Sequence, residues 1–531
     1  MKTNAKKILI LLLACVMVFS FCACGGEGGG SDADDEVIFN IATTNGVDTL
    51  NFFTSEMAKV CDWHMIMYDT LLNFDEEYNA QPNLATSWEN EGNDWTFHLR
   101  DDVYFSDGEK LTSEDVKYTF EAAVDSYLYS IYSERIEDIE CPDETTVIFH
   151  CSDPKPDILY QNLPILPKHV WEEVDDPFSY EPEEWIGSGA FIYSAEKSGN
   201  GVTAFDKNPN YWGDEPAIDT LVFTEYDNAG AMAQAMKLGE VDACYSLEKT
   251  QFDDLAGTDG IEVASFDAWG FEYLGYNMLD ELLADKTIRH AMDYCTDKEY
   301  IIEMSYGGIA DVAYGPVNNA GFVYDPPADV KREFSTDKAN EILDAAGYLD
   351  TDGDGIREKD GKPLSFELIT ASHRSSWQQA TVNSLIENCA KAGIEIKWNA
   401  MEVATMWDTC YDGNPDWQMT LDGWGGTMDP GYILQLFYDW EQGGVAGVAY
   451  QNPEFDELYA QVFAATDLDE RAKAIEEAQA LLYEDCPYTF LCFDKVLQCI
   501  NSDNWTGYKA YGNGFFDNMS NYNYLHIAPK A

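Results

Sequence analysis

The stretch that most narrows the fold lies in the middle of the chain. Residues 187–243 read GSGAFIYSAEKSGNGVTAFDKNPNYWGDEPAIDTLVFTEYDNAGAMAQAMKLGEVDA. Gly187-Ser188-Gly189 forms a turn in which the glycines tolerate positive φ. Strand-like runs follow at 190–195 and 202–206, then the aromatic turn Asn208-Pro209-Asn210-Tyr211-Trp212-Gly213 and an apolar, β-branched run at 218–224. Residues 229–238 have helical spacing and stop at the C-cap residue Gly239, after which Val241-Asp242-Ala243 re-enters a sheet. A hairpin leading into a strand-helix-strand unit specifies a mixed α/β domain.

At 531 residues the chain exceeds what one core can organise, so two or three domains are expected. Ninety-seven acidic residues against 31 basic ones give a net charge of −66, which argues against nucleic acid as a partner, since phosphate binding needs a basic face. The acids are spread along the chain, as on a solvated, self-repelling surface. Three of the 13 cysteines fall in the first 24 residues, and the rest lack the close spacing of a zinc site. Cys486, Cys492 and Cys499 lie in apolar sequence, where free thiols act as small hydrophobes. Cys141 and Cys151 could face each other across a turn, but buried free thiols are the leading expectation.

The first residues read as an export signal. Lys2, Lys6 and Lys7 precede an apolar run at 8–21 that is too short to span a bilayer stably. Ala23-Cys24-Gly25-Gly26 resembles a bacterial lipobox, which makes Cys24 the expected lipid-modified first residue of the mature protein. Residues 25–36 are glycine, serine and acid, a flexible tether.

Further along, a strand is expected at 37–43 and a helix at 57–72 with Val60, Trp63, His64, Met67 and Leu71 on its apolar stripe. Strands follow at 95–99, 103–105 and 145–150, with the capping box Thr112-Ser113-Glu114-Asp115 starting a helix between them. In the second half, helices are expected at 287–294, 298–304, 337–346 and 375–391, and strands at 271–277, 364–370, 394–398 and 416–424. Residues 455–483 hold two acidic amphipathic helices, and 488–500 alternates as one strand that returns the chain to its first domain.

Several of these segments carry a shared pattern. Gly187-Ser188-Gly189-Ala190-Phe191, Asn208 to Gly213 and Gly239-Glu240-Val241-Asp242 resemble the G-T-G-P-Y, N-P-x-Y-W-G and G-E-V-D motifs of the extracellular solute-binding proteins of ABC importers, in the peptide, dipeptide and nickel branch. The run from Leu99 to Val116 matches that family's L-R-D-G-V-x-F-x-D-G-x-P-L-T-A-E-D-V, with Asp102 for glycine and Lys110 for proline. Ile288 to Lys298 matches its V-R-x-A-L-x-Y-A-I-D-R.

The resemblance implies a type II-like periplasmic-binding-protein fold: α/β, two lobes with a hinge, plus an extra inserted domain. The expected parts are a signal peptide at 1–23, a tether at 24–36, domain I at 37–75, 187–274 and 495–531, domain II at 76–186, and domain III at 275–494. The resemblance further implies that the cargo is a peptide, held between domains I and III and passed to an ABC permease. A metal chelate of the nickel type, or another small solute, is the alternative. The protein is expected to be a lipid-anchored, extracytoplasmic monomer without a cofactor. No G-x-S-x-G, H-E-x-x-H, Walker loop or G-x-G-x-x-G after a strand is present, so a secreted hydrolase is the distant reading.

The expected binding residues centre on Asp422-Gly423-Trp424-Gly425, with Thr427 and Asp429 beyond. Glycines let a backbone approach a ligand, and Trp424 supplies an apolar face. In peptide-binding relatives an extended peptide pairs with this strand. Several of them place an aspartate where Thr427 stands, to hold an α-ammonium; Asp429 has a spacing closer to the nickel branch. Dipeptide-binding relatives clamp the ligand's carboxylate with an arginine in the loop before the helix at 375–391, where Arg374 is the candidate. Thr44 and Asn45 end the first strand at the cleft, and Trp269, Tyr273 and Tyr276 are further lining candidates. Separately, Asp350, Asp352 and Asp354 sit at alternate positions like the first half of a calcium loop, without its closing glutamate; Glu358 lies nearby. Calcium there is an expectation beside that of an ordinary Asp/Gly turn.

Overall fold

The structure is a computed structural model. It describes residues 36–531 except 45, 48, 56–62, 77, 127–128, 319–321, 412–414, 440–443, 445–446, 466, 510–513 and 517–519, and it leaves out the side chains of 375–377. The signal, Cys24, the tether and Asn45 lie outside the described residues. Residues 37–531 form one compact unit.

The strands, in chain order, are β1 (Ile38–Thr43), β2 (Ala85–Glu91), β3 (Asp94–Leu99), β4 (Ile136–Asp143), β5 (Thr146–Cys151), β6 (Phe191–Tyr193), β7 (Val202–Lys207), β8 (Thr220–Glu225), β9 (Ala243–Cys244), β10 (Ile261–Asp267), β11 (Phe271–Tyr276), β12 (Asp311–Val312), β13 (Ser365–Ala371), β14 (Glu395–Met401), β15 (Met419–Trp424), β16 (Tyr488–Phe493) and β17 (Lys495–Asn501). They make three main sheets. The first runs β10-β17-β9-β1-β8-β7-β6, the second β12-β16-β11-β15-β13-β14, and the third β2-β3-β5-β4. β1 pairs in parallel with β8 and β9. The hairpin and strand-helix-strand unit read from 187–243 therefore builds the first sheet. Its helix Ala229–Leu238 is capped by Asn228 and ends at Gly239 with φ 69°, a left-handed conformation suited to glycine.

The chain changes sheet twice, and the two crossings lie side by side. β10 belongs to the first sheet and β11 to the second, so the outward crossing falls at Ala268-Trp269-Gly270, four residues before the expected boundary at 275. The return is at Asp494. The run at 488–500 is not one strand: β16 completes the second sheet and β17 the first. The crossings are tied together, since the Ala268 amide donates to the Asp494 carbonyl at 3.0 Å. Lys495 forms ion pairs with Asp267 on the first side and Asp311 on the second. Two adjacent single-residue to three-residue connections are the construction of a hinge.

Other departures from the expected elements are local. The helix expected at 57–72 is helical at Trp63–Met67 among the described residues, and Thr70 then pairs with Pro164 in a β-bridge. His64 is buried there, with Nδ1 3.2 Å from the Tyr129 hydroxyl. Of the 103–105 strand only Tyr104 pairs, with Lys110. The capping box at Thr112 is present. Cys151 lies opposite Ile136, not Cys141, and all nine described cysteines are free thiols.

Candidate functional site

β15 projects past its neighbour. β13 pairs with β15 only at Leu368↔Met419, Ile369↔Thr420 and Thr370↔Leu421, and then leaves the sheet through Ser372–Arg374. On its other side β15 stays paired with β11 as far as Trp424. Residues 422–424 thus lack a ladder partner on the β13 side among the described residues. This ledge stands at the carboxyl ends of β13 and β15, where open α/β sheets place ligands.

Glycines shape the ledge. An added Cβ at Gly423 would lie 2.5 Å from a Glu272 carboxylate oxygen, and one at Gly426 would lie 2.1 Å from the Trp269 carbonyl. Gly425 is exposed, with open space on its side-chain side. Half-buried Trp424 donates its indole N–H to the Tyr488 hydroxyl at 3.2 Å. Its ring meets Trp407 and Tyr411 edge-on at 5.6 and 5.5 Å. Behind it Tyr273 stacks on Tyr488 at 3.8 Å.

Arg374 reaches this ledge but is engaged by the protein's own acids. Nη1 donates to Asp422 at 2.7 Å and Nη2 to Glu272 at 2.9 Å. Asp422 also accepts from the Tyr411 hydroxyl at 3.1 Å, and that hydroxyl is hydrogen-bonded to Tyr273. Burial pushes the Glu272 carboxyl up to about 7, against the pull of Arg374 and with Asp422 adding to the rise. Asp422 is raised for the same first reason, its burial. The guanidinium expected to clamp a cargo carboxylate is therefore shared between two carboxylates of the chain.

Other sequence-derived candidates part company here. Tyr276 is fully buried in the core of the second lobe with its hydroxyl on Thr489, so it faces packing rather than cargo. Tyr273 is also fully buried and supports the ledge from beneath. Asp429 caps the helix Pro430–Gln435 and pairs with buried Arg471 at 2.6 Å, which commits its carboxylate within the lobe. Thr427 sits beside it. Thr44, half-buried, follows the end of β1 on the first lobe. Trp269 lies in the outward crossing, its ring 4.7 Å from Tyr78. Around it Phe74 and Met428 pack with Tyr78, Tyr160 and Trp269, and beside the third sheet the Arg135 guanidinium lies 4.0 Å from the Phe463 ring.

Glu272, Trp407, Tyr411 and Tyr488 were not among the expected site residues. Glu272 alone carried a signal, a charge within the otherwise apolar run FEYLGY.

In the Asp/Gly loop, one carboxylate oxygen each of Asp350, Asp352 and Glu358 lie within 4.8 Å of one another, so Glu358 rather than Asp354 completes the trio. These carboxylates accept from the loop itself. Asp350 takes the amides of Gly353 and Gly355, Asp352 that of Asp354, and Glu358 that of Thr351.

Two lobes on paired crossings, with a glycine-aromatic ledge at the hinge, define a solute-binding protein of the closing-lobe kind. The chain belongs to the bacterial extracellular solute-binding proteins, family 5, whose model matches residues 79–444. It is thus a solute-binding protein of ABC importers, acting outside the cytoplasm. It is 26% identical over 537 residues to the oligopeptide-binding protein AppA of Bacillus subtilis, covering 96% of this chain and 97% of that one. The crystal structure of an oligopeptide-binding protein from Thermotoga maritima superposes with a TM-score of 0.81 at 22% identity, over 94% of this chain and all of that one. NikZ of Campylobacter jejuni, crystallised with Ni(L-His), gives 0.75 at 23% identity, over 92% and 99%. Among the described residues no helix is long and apolar enough to cross a membrane.

Proposed function

We propose that this protein captures a peptide between its lobes and delivers it, chemically unchanged, to an ABC permease. The observation that carries the reading is the one-sided pairing of residues 422–424. An extended peptide laid along that edge would add main-chain hydrogen bonds to β15, with Trp424 as an apolar wall and Gly425 leaving room for its backbone. Relatives named for oligopeptide binding support the same reading. Closing on cargo would exclude water from these hydrogen bonds and present one shape to the permease.

Domain II, in this reading, is the unit around the third sheet, and the other two sheets are the lobes that move. The chain is taken to act as a monomer tethered through a lipid on Cys24, and to carry out no chemistry. The nickel-type alternative drew on Asp429; with that carboxylate held by Arg471, it loses the residue that favoured it. Calorimetry against a mixed-sequence peptide library tests the proposal. Heat from peptides that Trp424→Ala weakens about tenfold or more, ~1.4 kcal/mol, is the expected result. Absence of heat from every peptide would overturn it.

A further inference from the structure

A second concave site shares none of its lining residues with the ledge. It is a cavity of about 520 Å3 on the first lobe, lined by residues that include Thr43, Glu181, Trp185, Tyr193, Phe223 and Glu225. Its place follows from the sheet. β1, β8 and β9 run in parallel, β17 runs against β9 and β10 against β17, so β1, β8 and β10 all end on one edge. That edge is where β10 hands the chain to the second lobe. Thr43 ends β1 and Glu225 ends β8, so the cavity opens on the edge that carries the hinge, on its β8-β7-β6 side.

The lining is chemically one-sided. Glu181, Glu183 and Glu225 are carboxylates of its lining, and among the described lining residues there is no lysine or arginine. Trp185 and Phe223, which are buried, and Tyr193, which is half-buried, add aromatic surface to the same lining. Glu181 is hydrogen-bonded to the Thr49 hydroxyl. Gly46 lies so close to Glu225 that an added Cβ would be 2.5 Å from its carboxylate oxygen. Carboxylates over aromatic faces suit a cation on an apolar stem, the first for charge-assisted hydrogen bonds and the second for cation–π and stem contact. The volume is in the range of small-molecule sites. A net charge of −66 would raise the local concentration of such ligands.

We propose that this cavity is a binding subsite for a guanidinium or ammonium group carried on an aliphatic stem, as at a basic side chain of the cargo. The proposal rests on the cargo-capture reading for its biological meaning, but the site can be probed alone. Butylguanidinium and its neutral isostere butylurea are titrated calorimetrically into the full-length protein at low salt. The same titrations are made with Glu225→Gln, Glu181→Gln and the double variant, their folding checked by thermal melting. Saturable butylguanidinium binding is expected, with butylurea at least tenfold weaker and each single variant weakened about fivefold. Three results would overturn the proposal: no binding to the native protein, equal binding of the two probes, or binding unchanged in a folded double variant. Peptide binding that persists in those cases leaves the transport reading intact. Glutamate-dependent butylguanidinium binding in a protein that takes no peptide sinks the peptide reading alone.

Discussion

Arg374 donates to Asp422 at 2.7 Å and so ties the Ser372–Arg374 turn, through which β13 leaves the sheet, to the ledge on β15. The same guanidinium holds Glu272 at 2.9 Å. Two buried carboxylates depend on one cation, and removing it would leave both uncompensated. Arg374→Ala is therefore expected to lower stability by about 3 kcal/mol, with Glu272→Gln plus Asp422→Asn restoring most of it. Urea unfolding checks this. An Arg374→Ala protein that loses peptide affinity with its unfolding midpoint unchanged would return the arginine to the role of cargo clamp.

The Glu272 carboxyl, raised by burial to about 7 from an ordinary 4.5, makes stability depend on pH. The folded chain keeps this proton after the unfolded chain has released it. The contribution is whole below about pH 4.5 and is lost as pH rises through 7. Asp69, raised by burial to about 6, acts in the same direction. Glu272→Gln should flatten the fall between these limits by roughly 2–3 kcal/mol. Unfolding free energies of the two proteins at pH 4.5 and 8 decide the matter, and equal pH slopes would contradict it.

Gly423 and Gly425 are two residues apart and should respond differently to a methyl group. At Gly423 the added Cβ meets the Glu272 carboxylate at 2.5 Å, while at Gly425 it meets nothing within 4 Å. Gly423→Ala is expected to cost ~1–3 kcal/mol and lower the melting temperature. Gly425→Ala should leave the melting temperature nearly unchanged and weaken peptide binding, because the space it fills is the space proposed for cargo. Melting and calorimetry on the pair are the check.

Lys495 bonds to Asp267 on one lobe and Asp311 on the other. Asp311→Asn removes the tie across the hinge and should shift cargo-free protein toward the open form, by an amount of order 0.5 kcal/mol since Asp311 is exposed. Small-angle scattering without cargo would show a larger radius of gyration in the variant, and saturating cargo would make the two radii agree.

Much of this architecture was legible because it is written in local chemistry. Gly239 ends its helix in a left-handed conformation, and the capping box at Thr112 starts another. Such signals need only neighbouring residues. Trp424 and its glycines were legible for the same reason. The break at Asp494 was not, because apolar alternation continues through both strands while the sheet they join changes. Arg374 was picked out by its match to a carboxylate-clamping arginine, but its partners Glu272 and Asp422 lie 102 and 48 residues away in sequence. Asp429 likewise looked free until Arg471, on a later helix, was placed against it. Long-range pairing of charges is what a linear pattern conceals.

The central claim is that cargo is gripped and released without any bond in it being altered. Native mass spectrometry of the protein, incubated with a mixed peptide library and washed, tests it directly. The account predicts a one-to-one complex that dissociates on denaturation to give a peptide of unchanged input mass. A protein that emerges empty from every library, or one that releases shortened peptides, would contradict it.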